Sequence, residues 1–406
     1  MPKNKRPPPH KNRAVSQDQE EALTQKLCGL AVELAEQEEG ATMTDALRKT
    51  DGDLNKLIKK TLFQKKDAVL YAALDRARYT DIDAYLLLKE RIEEASGVIV
   101  TGREVGKSDG KNVEVNAFII PMFVQKVGGL DYQPSFNDQE AFDLLTASFQ
   151  QAQLESRDAT VVLVNHAYHP DEIEGISFCH LNEMVWDAHA SMTDKKARAT
   201  TPAIDRSFSG GAENHFAPDD PAVELRFLLG FAMKATDDPF YRIPDDDAAV
   251  DAYFDARAGR FERWTEQVAP IVKRCLVGGD TEVHIDFLYQ DLFHGGKERG
   301  IAEYCMLQML SELNRSLQAL AIDGASTNAI VGPVDREDET VLRVNLYASA
   351  DGALLASSEK PWSISRDFQF EIVDIRDALK TIGVTSLAVA ETFDDDGQAV
   401  DARPYQ

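Results

Sequence analysis

Residues 112–126 read NVEVNAFIIPMFVQK and residues 222–235 read AVELRFLLGFAMKA. Each is a short apolar run rich in β-branched and aromatic residues, the composition of a buried strand. A second pair of apolar runs follows, DATVVLVNHAYHPDEI at 158–173 and DTEVHIDFLYQDLF at 280–293. Helical periodicity lies between and after these runs, at 138–154 and 178–192 in the first set and at 248–276 and 297–321 in the second. The expected architecture is α/β, with α+β as the alternative. In it, two similar strand-helix-strand-helix halves follow one another as an internal duplication. The competing explanation is that any two buried strands followed by helices look alike.

On the N-terminal side, Leu23, Leu27, Leu30 and Leu34 recur at helical spacing. After Gly40, the Thr44 and Asp45 pair offers an N-cap, and the stretches 54–63, 67–79 and 82–95 read as short amphipathic helices broken near Asp51–Asp53 and Thr80–Asp81. The C-terminal strands are expected at 327–331, 341–348, 354–356 and 386–390, with a helix at 372–382. The chain then divides into a disordered basic tail at 1–16, a helical region at 17–97, a first half at 98–192, a polar connector at 193–221, a second half at 222–393 and an acidic tail at 394–406.

At 406 residues the chain exceeds what one hydrophobic core usually organises, which predicts two or three compact units. Lys+Arg 44 against Asp+Glu 69 gives a formal charge of −25, although residues 1–16 are basic and contain no acid. So acidic a body repels nucleic acid and anionic membrane at long range. Cys28, Cys179, Cys275 and Cys305 are far apart, form no CxxC pair and fall in apolar stretches, so they read as reduced core residues of a cytoplasmic protein. The longest uncharged apolar run, 117–124, is too short to cross a bilayer.

The segments Leu54-Asn55-Lys56-Leu57, Val69 to Asp75, Ala84-Tyr85 and Glu224 to Gly230 together resemble a bacterial family of about this length known only as a domain of unknown function. The shared positions are core and helix residues. The resemblance therefore implies a bacterial cytosolic protein and brings no catalytic residue with it.

No phosphate-binding glycine spacing is present. The turn His294-Gly295-Gly296-Lys297 precedes a helix and offers an anion position at its N-terminus. His166 and His169 lie just past an apolar strand, where α/β proteins tend to hold ligands, but Pro170 interrupts any helix that would align them for a metal. No metal and no cofactor is expected. Ser207-Phe208-Ser209-Gly210-Gly211 lacks the strand that a nucleophile turn needs. Acid pairs such as Asp245-Asp246-Asp247 read as turns and helix starts. The remaining feature is a run of lysines without an acid, Lys56, Lys59, Lys60, Lys65 and Lys66, interleaved with Leu57, Ile58, Leu62 and Phe63. Such a basic amphipathic helix is a partner-binding candidate, unless it faces the acidic remainder of its own chain. The expected function is to bind a protein partner, without catalysis. One alternative is an enzyme with its site between the halves, lined by His166, His169, Asp286, Asp291 and His294. The other is a nucleic-acid-associated protein that uses the basic tail and the lysine-rich helix.

Overall fold

The computed structural model describes residues 11–36, 44–102, 112–130, 136, 138–152, 154, 158–193, 221–238, 243–277, 282–336, 340–362, 367–394 and 396–405. Residues 1–10 of the expected tail, Gly40, and the connector from 194 to 220 with its Ser207–Gly211 turn lie outside the described residues. The chain forms two compact units, 1–297 and 298–406, and the division falls inside a helix.

Unit 1 begins with four helices, α1 (Lys11–Ala35), α2 (Asp45–Phe63), α3 (Asp67–Thr80) and α4 (Ile82–Gly97). They bury Leu27, Leu54, Ile58, Leu70, Leu88 and Ile92 in a common core. The Thr44 hydroxyl caps α2 by accepting from the Leu47 amide at 3.3 Å, as the sequence suggested. The expected break at Asp51–Asp53 does not occur. Thr50, Leu54, Ile58 and Leu62 form an unbroken buried stripe, and its burial outweighs the roughly 1 kcal/mol that Gly52 costs inside a helix. Likewise α1 starts at Lys11, ahead of the expected Gln17.

The sheet of unit 1 consists of β1 (Val98–Thr101), β2 (Val113–Val127), β4 (Pro221–Ala235) and β3 (Thr160–Tyr168) in that order, with β5 (His284–Phe287) and β6 (Asp291–Leu292) also pairing with β2. The apolar runs at 112–126 and 222–235 pair with each other. β2 and β4 are antiparallel over their whole lengths, from Val113↔Ala235 to Val127↔Pro221. Each is buried on both faces, which is why its sequence is a continuous apolar run rather than an alternating one. Among the described residues, every pair in this sheet is antiparallel, so the arrangement is the α+β variant of the mixed fold.

Helix α5 (Gln139–Ala152) joins β2 to β3, and α8 (Asp247–Val277) joins β4 to β5. Both pack on one face, where Phe142, Leu145 and Phe149 meet Phe261, Trp264 and Val268 over Phe118, Ile120 and Met122. Trp264 Nε1 donates to Ser148 Oγ at 2.9 Å inside this core. The lateral order β5/β6-β2-β4-β3 with crossing helices is a split βαβ arrangement. The two strand-helix-strand segments thus occupy matching places in one sheet rather than forming two halves on either side of the connector. Both outer strands are interrupted, β3 by a register shift between Leu163 and Ala167 and the β5/β6 line at 288–290. α6 (Pro170–Glu174) and α7 (Phe178–Thr193) follow β3.

Helix α9 (Phe293–Ala319) begins four residues before the expected Lys297, so His294-Gly295-Gly296-Lys297 is helix and not a turn. Packing explains the glycines. A Cβ on Gly296 would come within 2.3 Å of Ile119 Cγ2 on β2, and one on Gly295 would lie 3.2 Å from Asp291 Oδ2.

In unit 2 the C-terminal part of α9 and α10 (Phe368–Thr381) share a core with β7 (Thr327–Asp335), β8 (Thr340–Ala348), β9 (Leu354–Pro361) and β10 (Ser386–Val389). The strand order is β13-β10-β7-β8-β9, with β13 at Arg403–Pro404 and with β7 and β10 parallel. A hairpin, β11 (Thr392–Phe393) and β12 (Ala399–Val400), completes the unit. The stretch expected as a second half at 222–393 is therefore shared between two sheets.

Candidate functional site

His166 and His169 flank the end of β3, and both are absorbed by one carboxylate. His166 Nε2 lies 3.0 Å from Glu172 Oε2, which also accepts the His169 amide at 2.8 Å. His169 is the N-cap of α6, accepting the Asp171 amide at Nδ1 over 3.4 Å. With Glu172 at the third helical position this is a reciprocal capping box. Burial lowers the pKa of His169, and the nearby Arg226 charge lowers it further. Burial pushes the Glu172 carboxyl up, but the hydrogen bonds from His166 and the His169 amide more than offset this and hold it low.

His294 lies at the other edge of the sheet, in the first turn of α9. Its Nε2 is 2.9 Å from Ser96 Oγ, and Glu93 Oε1 is 3.8 Å from Nδ1. Burial holds this imidazole well below its ordinary pKa, assisted by Lys297 and Lys89. Ser96 is fully buried at the C-terminal end of α4, where backbone carbonyls rather than amides are exposed, so the pair offers no oxyanion site. Asp291 stands just before α9: its Oδ1 accepts the Leu292 amide at 2.7 Å, and its Oδ2 lies 3.2 Å from where a Gly295 Cβ would be, so an internal carboxylate already lies beside the start of that helix. Asp286 is exposed and pairs with His284 at 3.1 Å.

Three strand spacings of about 4.8 Å separate β3 from the β5/β6 edge, so about 14 Å of sheet lies between the His166–His169 pair and the Asp291–His294 pair. The five residues expected to line one site do not converge. Among the described residues no group of three or more His, Cys, Asp or Glu side chains is arranged to hold a metal ion.

The lysines divide. Lys65 pairs with Glu183 of α7, Lys66 with Glu20 of α1 at 3.3 Å, and Lys56 with Asp53 at 3.8 Å. Among the described residues, Lys59 and Lys60 have no ion-pair partner, and both are exposed. Lys59 lines a cleft of about 350 Å³. One part of its wall is α2, with Leu62 and Phe63; another is α7, with Asn182 and Trp186; and its base is the end of α4 and the strand β1, with Val98, Ile99 and Val100. Arg91 and Glu94, also in the lining, are 3.7 Å apart, and Arg91 reaches Asp51 at 3.3 Å, so those charges are matched internally.

This cleft is rich in apolar surface left to solvent. Phe63 is 85% exposed, Val100 54% and Trp186 47%. Phe63 belongs to the lysine-rich stretch singled out in the sequence, whereas Trp186 was missed. The buried positions of α7 are Phe178, Cys179, Leu181, Met184, Val185, Ala188 and Met192, and Trp186 is the aromatic residue that falls off that stripe. Asp67, the first residue of α3, ties the start of α7 to the end of the α2–α3 connection. Its carboxylate accepts Ser177 Oγ at 2.8 Å and the Cys179 amide at 3.0 Å, sitting at the N-terminus of α7 while opening α3.

Residues 12–294 match a family described as "Protein of unknown function (DUF2863)". The chain belongs to this family. The DUF2863 match holds the four-helix region, the larger sheet and every residue of the cleft, and it ends within three residues of the boundary of unit 1. No curated protein and no solved structure matches the chain. Among the described residues, no helix of this DUF2863 protein is long and apolar enough to cross a membrane.

Proposed function

We propose that this protein is a non-enzymatic binding module whose cleft between α2, α7 and β1 docks a segment of a protein partner. The observation that carries the reading is the exposure of Phe63 and Trp186 around a cleft whose rim bears the unpaired Lys59. Large exposed aromatics beside a concavity are the usual anchors of protein interfaces. The matched partner is a segment with apolar side chains for the cleft and acidic ones for Lys59 and Lys60, and electrostatics of that sign works against the charge of −25 carried by the chain as a whole. Dispersal of the histidines and carboxylates to opposite sheet edges favours binding over catalysis. Engagement of Lys65 and Lys66 by Glu183 and Glu20 leaves little of the lysine run for nucleic acid. The same reading takes β2-α5-β3 and β4-α8-β5/β6 as copies of one unit that supply a rigid sheet, with the helical region added to form the site. Four free cysteines fit work in a reducing cytoplasm.

The test is selection of linear peptides from a displayed random library against the full chain, followed by affinity measurement on a variant carrying Phe63→Ala and Trp186→Ala. Truncating two aromatic anchors is expected to weaken the selected peptides at least about tenfold. Peptides that bind both proteins equally, or failure to select any, would contradict the proposal.

A further inference from the structure

We infer that the partner segment enters the cleft as an extended strand that adds to the free edge of β1. The inference rests on the docking reading above. Among the described residues β1 pairs with β2 alone, in the register Val98↔Asn116 to Thr101↔Val113, so among them its other side is an unpaired sheet edge, and Val98, Ile99 and Val100 of that edge line the cleft. The direction of its hydrogen bonds follows from the helix before it. The Val98 amide donates to Glu94 O of α4, away from β2. Backbone groups alternate sides along an antiparallel strand, so the Val100 N–H and C=O also point away from β2, toward the open side. Natural sheets blunt such an edge with charge or proline, yet Val98-Ile99-Val100-Thr101 has neither in a chain that is 28% charged.

An added strand alternates its side chains, so every second residue can meet Leu62, Phe63 and Trp186 while its backbone meets Val100. Among the described residues Lys59 is the charged group on the lining with no ion-pair partner, and an acidic residue of the incoming strand matches it. Four residues of edge give few backbone bonds, so the side-chain pockets set most of the affinity and the backbone sets the conformation.

The experiment uses the full chain and a peptide selected from the displayed library as the probe. Val100→Pro removes one outward amide, and Val100→Thr keeps it. The expected result is a loss of about five- to tenfold in affinity for the proline variant, with the threonine variant within about twofold of the original. If Val100→Pro does not fold, single N-methylation along the peptide replaces it, and sensitivity at alternate positions is expected. Equal affinity for both variants, or insensitivity to N-methylation at every position, overturns strand addition while leaving docking intact, provided the Phe63 and Trp186 double variant still loses the peptide. Peptides indifferent to that double variant overturn both. Concentration-dependent dimerisation of the chain alone that Val100→Pro abolishes would assign the edge to a second copy and overturn the partner proposal.

Discussion

Gly296 of α9 and Ile119 of β2 are in such close register that a single added methyl on the glycine would come within 2.3 Å of Ile119 Cγ2 and 3.3 Å of its carbonyl oxygen. Ile119 is β-branched, fully buried in the centre of a long strand and has no room to turn away. Gly296→Ala is therefore expected to destabilise unit 1 by about 1–3 kcal/mol despite the better helix propensity of alanine. In an Ile119→Ala background the same substitution should cost clearly less, which a double-mutant cycle of denaturant midpoints measures. Equal costs in both backgrounds would place the strain elsewhere.

The neutral, buried His294 makes unit 1 sensitive to acid. Its pKa is lowered in the folded state, so as pH falls below about 6.5 the unfolded chain takes up a proton that the folded one refuses. Stability is complete above that pH and drains away below it. His294→Gln, whose amide can keep the bond to Ser96, should flatten the decline of Tm between about pH 6.5 and 5. Some slope remains because His169 is held low in the same way. A pH dependence identical in both proteins would contradict the burial argument.

Two of the cysteines should be inert while the protein is folded. Burial raises the thiols of Cys179 and Cys275 to about 12, in Cys179 with help from the Asp67 carboxylate. At pH 8 neither has an appreciable thiolate fraction, so a thiol-specific reagent followed by peptide mass mapping should leave both unmodified in native protein and label both in denaturant. Rapid labelling of either in the native state would show that α7 or α8 opens locally.

In unit 2, Lys360 of β9 and Glu371 of α10 form an ion pair with both side chains 2% exposed. Lys360→Met alone takes the cation away from the buried Glu371 carboxylate and is expected to cost about 3–5 kcal/mol, whereas Lys360→Met with Glu371→Leu should cost far less. The comparison is read from urea midpoints. Similar losses in the single and double variants would mean that packing rather than charge decides the site.

The strands were legible because continuous apolar composition is dictated by two-sided burial, and β2 and β4 meet that condition over most of their lengths. Their pairing with each other was not legible. Nothing in NVEVNAFIIPMFVQK states whether its partner is the next strand or one a hundred residues on, and separation by a polar connector suggested a boundary where the sheet has its centre. Gly295 and Gly296 misled for a related reason, since glycine serves both a turn and a close helix–strand contact, and only Ile119 decides between them. At the site, Lys59 and Phe63 could be marked from the sequence because α2 carries its own periodicity. Trp186 stands out only once the buried stripe of α7 is known, and the cleft forms only where α7 packs beside α2 and α4, an arrangement that long-range contacts such as Lys65 with Glu183 and Asn182 with the Ala95 carbonyl set.

Hydrogen–deuterium exchange on the full chain, with and without a saturating library-selected peptide, addresses the docking cleft most directly. Protection is predicted at 55–63, 91–100 and 182–186, the segments that line the cleft, with the His166–Glu172 and Asp291–His294 regions unchanged. Protection centred on either of those histidine regions, with the cleft segments exchanging as before, would contradict the account.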